Sequence, residues 1–192
     1  REYLLDIVGT QCLRNMRYAD AERYLGAITP SFYGHLNVYQ ERNPFEIRYN
    51  YDYDDTDFRY QFAKEMNALE RKIASTANPD EKAQTMVRFA IGLRNSFGWS
   101  WSLTQYFSGK PDYDKEFKRW NNGPEMQAAY KRVDELIATA CNIVTDREVA
   151  AMIQYDLCNF REVATKYYDT QMAKVVWGKC DNLIDYHAEK LH

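Results

Sequence analysis

The sequence predicts an all-α protein in which antiparallel helix pairs form either a bundle or a short solenoid. Three observations support this. Apolar residues recur at helical spacing along most of the 192 residues, helix start signals separate the apolar stretches, and the joints between them are short. The length suffices for one substantial core. We therefore expect a single helical-repeat domain over residues 1–192, with an irregular or hairpin insertion at 35–56.

The N-terminal segment predicts a helix pair. Leu5, Val8, Cys12 and Met16 recur at helical spacing, which predicts that they form the buried stripe of a first helix. A second helical pattern follows from residue 17 almost without a break.

The middle of the chain carries the clearest helix signals. Asn78 is a good N-cap residue, Pro79 suits the first helical position, and Gly98 is a plausible end. The predicted buried residues before and after Asn78 are Phe58, Phe62, Met66, Leu69 and Ile73, then Ala83, Met86, Val87, Ala90 and Ile91.

Three further helices are expected in the C-terminal third. The sequence NGPEMQ at 122–127 opens a helix that runs to Cys141. Thr145 and Glu148 have the spacing of a capping box, which predicts a helix from there to Tyr167. The last helix begins near Thr170, and its apolar stripe consists of Ala173, Val176, Trp177, Cys180, Leu183 and Ile184.

One region departs from helical periodicity. From Phe45 onward apolar and polar residues alternate, with Tyr49, Tyr51 and Tyr53 on one side. This pattern predicts either a small β-hairpin near 35–54 or an extended loop on the helices.

The four cysteines, at 12, 141, 158 and 180, favour packing over chemistry. None forms a CxxC pair, and each lies in an apolar context, which favours small buried side chains. One or two disulfides are the alternative.

Charge and hydropathy exclude several classes of partner. The net charge of −3 provides no basic field for nucleic acid, and no apolar run is long enough to span a membrane. Because the chain starts at Arg1, a signal or lipid anchor upstream remains open.

No motif predicts catalysis, a metal or a cofactor. The histidines, at 35, 187 and 192, lie in no recognisable catalytic pattern. The acidic stretch from Asp52 fails as an EF-hand, because Asp57 stands where glycine is needed and Ala63 where glutamate is needed. These acids are better interpreted as favourable charges before a helix N-terminus.

The aromatic segment at 96–109 holds the best ligand candidate. If it is helical, Trp99 joins the core while Trp101 points elsewhere, beside Gln105. A Trp among polar residues can stack on a sugar or anchor a partner. We therefore predict a binding surface formed by Trp101, Gln105, Tyr49, Tyr51 and Tyr53.

Two segments resemble tetratricopeptide-like helical repeats. In RYADAERYLGAITPSF at 17–32, the residues that match the repeat are Tyr18, Ala21, Tyr24, Leu25 and Pro30. FREVATKYYDTQMA at 160–173 resembles the unit of envelope proteins of this class, although Tyr168 stands where that family usually has Pro. The middle of the chain departs from the thirty-four-residue period. The resemblance implies a solenoid of helix pairs.

A broader resemblance concerns the order of three segments, 51–66, 89–109 and 160–186. It is similar to that of uncharacterised exported or lipid-anchored helical proteins of Bacteroides-type gut bacteria. This resemblance implies a location in the cell envelope, periplasmic or outer-membrane-associated, and no known activity. The cytoplasm is the alternative location.

These observations lead to one expected function and two alternatives. We expect a non-enzymatic module that binds a protein or peptide partner, because helix pairs present a concave face and the sixteen tyrosines bind with little loss of entropy. The first alternative is a glycan or small-ligand binder that uses its exposed aromatics. The second is an all-helical hydrolase, which would need two carboxylates or a nucleophile and base in one cleft.

Overall fold

The computed structural model describes residues 1–33, 44–45, 58–97 and 123–181. These ranges contain only helices and short joints, which confirms the all-α prediction. The helices are α1 (Glu2–Arg14), α2 (Tyr18–Leu25), α3 (Pro30–Tyr33), α4 (Phe58–Ser75), α5 (Pro79–Ser96), α6 (Pro124–Ile143), α7 (Arg147–Asp156), α8 (Phe160–Lys166) and α9 (Gln171–Asp181). The hairpin or loop predicted near 35–54 lies almost entirely outside the described residues.

Most of the packed helix pairs are close neighbours in the chain. Helix α2 contacts α1 and α4, and α5 contacts α4, α6 and α7. A main core runs through these helices, and two small apolar clusters join α7, α8 and α9. The molecule therefore consists of packed helix pairs, as the sequence predicts.

The centre of the main core is aromatic. The ring of Tyr18 on α2 meets the ring of Phe62 on α4 edge to face, with centroids 6.4 Å apart, and that of Phe89 on α5 at 5.5 Å. Edge-to-face contact is a favoured arrangement of aromatic rings, and it joins α2 to α4 and α5.

The predicted buried stripe of α5 is confirmed, and that of α4 is confirmed for Phe62, Met66 and Leu69. Ile73 is only partly buried, and the side chain of Phe58 lies outside the described residues. Local signals explain this accuracy. The Asn78 side chain accepts hydrogen bonds from the backbone N–H groups of Asp80 and Glu81, at 2.9 and 3.1 Å, as an N-cap residue does.

The predicted helix from Thr145 to Tyr167 is wrong, because the chain forms two helices there. Cys158 adopts a positive φ of 62° after α7, and the N–H of Asn159 donates to the carbonyl of Gln154 at 2.8 Å. This is the Schellman pattern that ends a helix, although the left-handed residue is usually glycine. The α1–α2 joint repeats it at Met16, with a φ of 55°.

The predicted capping box is also wrong. Asp146 caps α7, since its carboxylate accepts from the N–H of Val149 at 2.9 Å. Thr145 is instead held by Asp80, in the first turn of α5, whose carboxylate accepts from the N–H groups of Thr145 and Asp146 at 2.6 and 2.9 Å. The start of α7 is thus fixed by α5.

Glu148 repeats this arrangement one helix later. Its carboxylate accepts from the N–H groups of Gln171 and Met172, both at 2.8 Å, and so caps α9. Asp80 and Glu148 each occupy the second position of their helix. We call the N-termini of α5, α7 and α9 a row, because α5 holds the start of α7 and α7 holds the start of α9.

The interpretation of the cysteines as buried is only partly correct. Cys12 is buried, but Cys141 and Cys158 are exposed, and all three are free thiols. Cys141 lies on the outer side of α6, and Cys158 lies in the turn after α7, where a side chain points to solvent. The side chain of Cys180 lies outside the described residues.

Candidate functional site

The binding surface predicted from the sequence lies outside the described residues. This holds for Trp101, Gln105, Tyr49, Tyr51 and Tyr53, which remain a prediction. It holds also for the histidines at 35, 187 and 192. The candidate site below is therefore built from side chains that the sequence did not single out.

The outward face of α1 is the most unusual surface in the described ranges. Four large apolar side chains are exposed there: Tyr3 by 46%, Leu4 by 63%, Ile7 by 36% and Val8 by 42%. They lie at positions i, i+1, i+4 and i+5, so they share one side of the helix over two turns. We call these four residues the α1 face.

The α1 face lacks charge. From Tyr3 to Gln11, each exposed side chain of α1 is apolar or uncharged. The exposed side of α6 is the opposite, with Lys131, Arg132, Asp134 and Glu135. An apolar helix side is usually buried, whereas the described helices leave this side of α1 exposed.

Val8 corrects the sequence analysis. It was expected in the core with Leu5 and Cys12, but it lies on the exposed side. Cys12 is buried and Leu5 packs against the core as expected, but the buried side of α1 also includes Asp6, Thr10 and Leu13, with Gly9 against Leu25. The helix is rotated relative to the expectation, because its polar residues find a buried partner.

That partner is Arg59, near the start of α4. Its Nη1 donates to Thr10 Oγ1 at 2.7 Å and lies 3.3 Å from Asp6 Oδ1. All three side chains are at most 1% exposed, and Arg14 lies one turn further along the same side of α1, also buried. Asp6, Thr10, Arg14 and Arg59 form what we call the buried polar cluster. Only one of its three ionisable groups is acidic.

Burial controls the electrostatics of this cluster. Desolvation raises the pKa of the Asp6 carboxyl, and the attraction of Arg59 opposes this only partly. Neither carboxylate oxygen accepts a hydrogen bond from a residue in the described ranges. Desolvation likewise lowers the pKa of Arg14, against the attraction of Glu125. The cluster therefore holds charges that are costly to bury.

Two further contacts fix the ends of α1. Glu2 accepts hydrogen bonds from the N–H and hydroxyl of Thr29, at 2.8 and 2.7 Å, which lowers the pKa of Glu2. At the other end Gln11 Nε2 donates to Glu125 Oε1, on α6, at 2.7 Å. The α1 face is thus presented by a helix that is anchored at both ends and along its buried side.

A second set of exposed apolar residues lies on α7–α9 but forms no single face. They belong to three helices and to the joint after α8: Met152, Phe160, Tyr168, Val175 and Trp177. Trp177 was expected in the core, and this was wrong, since it is half exposed. Charged side chains such as Lys166 and Lys174 separate these residues.

The described ranges provide no arrangement for metal chemistry. Within residues 1–33, 44–45, 58–97 and 123–181, no group of three or more His, Cys, Asp or Glu side chains could hold a metal ion. Among the helices in those ranges, none has both the length and the apolar character needed to cross a bilayer.

Comparisons with protein-family models, with curated proteins and with solved structures found no match to this chain. The site must therefore be interpreted from its own chemistry, which is that of an apolar contact surface on an anchored helix.

Proposed function

We propose that this protein is a non-enzymatic helical scaffold that binds a protein partner through the α1 face. The α1 face is the observation that carries the proposal. Large apolar side chains exposed together typically mark interaction sites, whereas single exposed apolar residues need no explanation.

The way in which α1 is held supports this proposal. Binding through an ordered surface loses less conformational entropy than binding through a mobile one. The ion pair of Asp6 with Arg59 and the hydrogen bonds of Glu2 and Gln11 fix α1 without using the four side chains of the α1 face. The outer side chains are left for a partner.

The composition of the α1 face favours a protein over a nucleic acid or a sugar. Three of its four side chains are aliphatic and provide no hydrogen bonds for sugar hydroxyl groups, and none of the four carries a charge for phosphates. A helix with apolar residues at i and i+4 suits packing against an apolar surface of another protein. The cell-envelope location implied by the resemblance remains a prediction.

Site-specific photocross-linking in the source cells tests the proposal. Benzoylphenylalanine replaces Leu4, at the centre of the α1 face, and in a matched control it replaces Lys131, whose side chain is 79% exposed on α6. We expect a discrete protein adduct at position 4, identified by mass spectrometry with self-adducts included.

A second substitution makes the result specific. Val8→Glu places a charge one turn from position 4, so the adduct should be lost while the circular dichroism spectrum is unchanged. Equal adducts at positions 4 and 131, or none at position 4, would contradict the proposal.

A further inference from the structure

The α1 face has properties that identify the kind of protein that it binds. We infer that its partner is a second copy of this chain, with the two α1 helices antiparallel across a two-fold axis near Ile7. This inference rests on the proposed function and makes it specific.

Electrostatics is the first argument. In a two-fold interface the same patch occurs on both sides, so a charged patch faces its own charge. Most exposed helix faces here carry charges, such as Lys131 and Arg132 on α6. The α1 face carries none from Tyr3 to Gln11, so it can meet its own copy without repulsion.

The spacing of the side chains is the second argument. In α1, Tyr3, Ile7 and Gln11 form one row, and Leu4 and Val8 form the next. Each helical residue rises 1.5 Å, so Tyr3 and Gln11 lie about 6 Å on either side of Ile7. An antiparallel copy therefore brings Tyr3 level with Gln11 of the second copy.

This arrangement pairs groups that suit one another. The Tyr3 hydroxyl can donate to the Gln11 carbonyl oxygen of the other copy, since Gln11 uses its Nε2 group to bind Glu125. Leu4, the most exposed residue of the face, fills the gap between Ile7, Val8 and Gln11 across the axis. The helix dipoles are then antiparallel, which is their favourable orientation.

The small area of the α1 face limits the expected affinity of the dimer. Two helical turns bury less area than the roughly 800 Å² per partner of a standard interface. We therefore expect a dimer in rapid, concentration-dependent exchange with the monomer.

Sedimentation velocity on the purified full chain tests the inference. We expect a dimer at high concentration, and Leu4→Glu should raise the dimer dissociation constant by about tenfold or more, as loss of a central contact does. Tyr168→Glu is the control, because Tyr168 is 69% exposed on another part of the molecule. A monomer at all concentrations, or equal weakening by both substitutions, would overturn the inference.

Cysteine cross-linking tests the antiparallel geometry. In a background with Cys141, Cys158 and Cys180 replaced by serine, Ile7→Cys should form a disulfide-linked dimer when diamide oxidises the two thiols. Gln11→Cys should not, because its two copies lie about 12 Å apart along the axis. A linked dimer through Gln11→Cys would overturn the antiparallel arrangement.

These outcomes separate the inference from the proposed function. A monomeric chain whose position 4 cross-links to a different protein in cells overturns the second copy and leaves the proposed function intact. A monomeric chain with no adduct at position 4 contradicts both.

Discussion

Arg59 Nη1 lies 3.3 Å from Asp6 Oδ1, in an ion pair that is almost completely removed from solvent. The two residues are distant in sequence, and they join the start of α4 to the buried side of α1. This contact sets the rotation of α1. It determines that Leu4 and Val8 face outward, and so it is the structural origin of the α1 face.

Loss of Arg59 should strongly destabilise the protein. Arg59→Met retains most of the apolar stem but leaves Asp6 buried without its cation, so we expect the free energy of unfolding to fall by about 3–5 kcal/mol at pH 7. Urea denaturation followed by circular dichroism measures this loss.

Arg88 provides the matched control. It pairs with Glu65 at 3.1 Å, but both side chains are substantially exposed, so Arg88→Met should cost less than about 1 kcal/mol. Equal losses in the two variants would show that the buried Asp6–Arg59 pair contributes no more to the free energy of unfolding than an exposed ion pair does.

The pH dependence of stability should reveal Asp6. Its folded-state pKa is raised above its unfolded value, because desolvation outweighs the attraction of Arg59. The folded state then holds the proton more tightly. The stabilisation that proton binding at Asp6 gives the folded state is complete below the unfolded pKa of about 3.9. It is lost as the pH rises through the folded pKa.

Asp6→Asn removes this titration and keeps the shape of the side chain. We expect the stability of the wild type to fall relative to that of the variant as the pH rises from about 4. Urea titrations across this range, with Asp134→Asn on the exposed side of α6 as the control, provide the comparison. A constant difference between wild type and Asp6→Asn would mean that the pKa is not raised.

The sequence analysis was correct where an element depends on residues near it in the chain, and wrong where it depends on residues far away in the chain. The position of α5 depends on Asn78 and Pro79 next to it and on its own apolar stripe, so it was predicted correctly. The rotation of α1 depends on Arg59, whose pairing with Asp6 leaves no trace in local periodicity. Glu148 was assigned to a local capping box, although its carboxylate caps a helix that starts more than twenty residues later.

The candidate site was missed for a related reason. An apolar stripe at helical spacing predicts burial, and the sequence contains no sign that Val8 lies on a side of α1 that the described helices leave exposed. Cys158 was missed because a left-handed conformation at a residue other than glycine has no clear sequence signal.

Gly9 should be required for the close approach of α1 and α2. A Cβ atom at this position would lie 2.6 Å from Cγ and Cδ2 of the buried Leu25. We expect Gly9→Ala to lower the free energy of unfolding by about 1–3 kcal/mol, because the core must shift to accept it. Thermal unfolding measures this effect.

Gly178 on α9 is the control for the helix propensity of alanine. A Cβ there would contact nothing within 4 Å, so Gly178→Ala should raise stability by about 0.5–1 kcal/mol. If Gly9→Ala also raised stability, the packing of α1 on α2 would have to be looser than described.

Replacement of Cys158 by glycine should stabilise the protein. Its φ of 62° is strained for a residue with a Cβ atom, and its side chain is exposed, so little packing is lost. We expect Cys158→Gly to raise the free energy of unfolding by about 1 kcal/mol, measured by urea denaturation. Leu157→Gly is the control at the neighbouring position, where φ is −82°, and it should destabilise. Stabilisation by both would point to an effect of glycine unrelated to φ.

The row of helix N-termini offers the last prediction. The N–H groups of Asp146 and Thr145 lower the pKa of Asp80, so this carboxylate stabilises the fold above its unfolded pKa. That stabilisation is lost as the pH falls through the folded value. Asp80→Ala should therefore be destabilised at pH 7, and the difference from wild type should shrink in acid.

Hydrogen exchange locates the effect: Asp80→Ala should speed exchange at Thr145 and Asp146, whereas Glu148→Ala should do so at Gln171 and Met172. Each variant is the control for the other, and faster exchange spread evenly over α7 and α9 in both would mean that the two carboxylates act on global stability rather than on the next helix in the row.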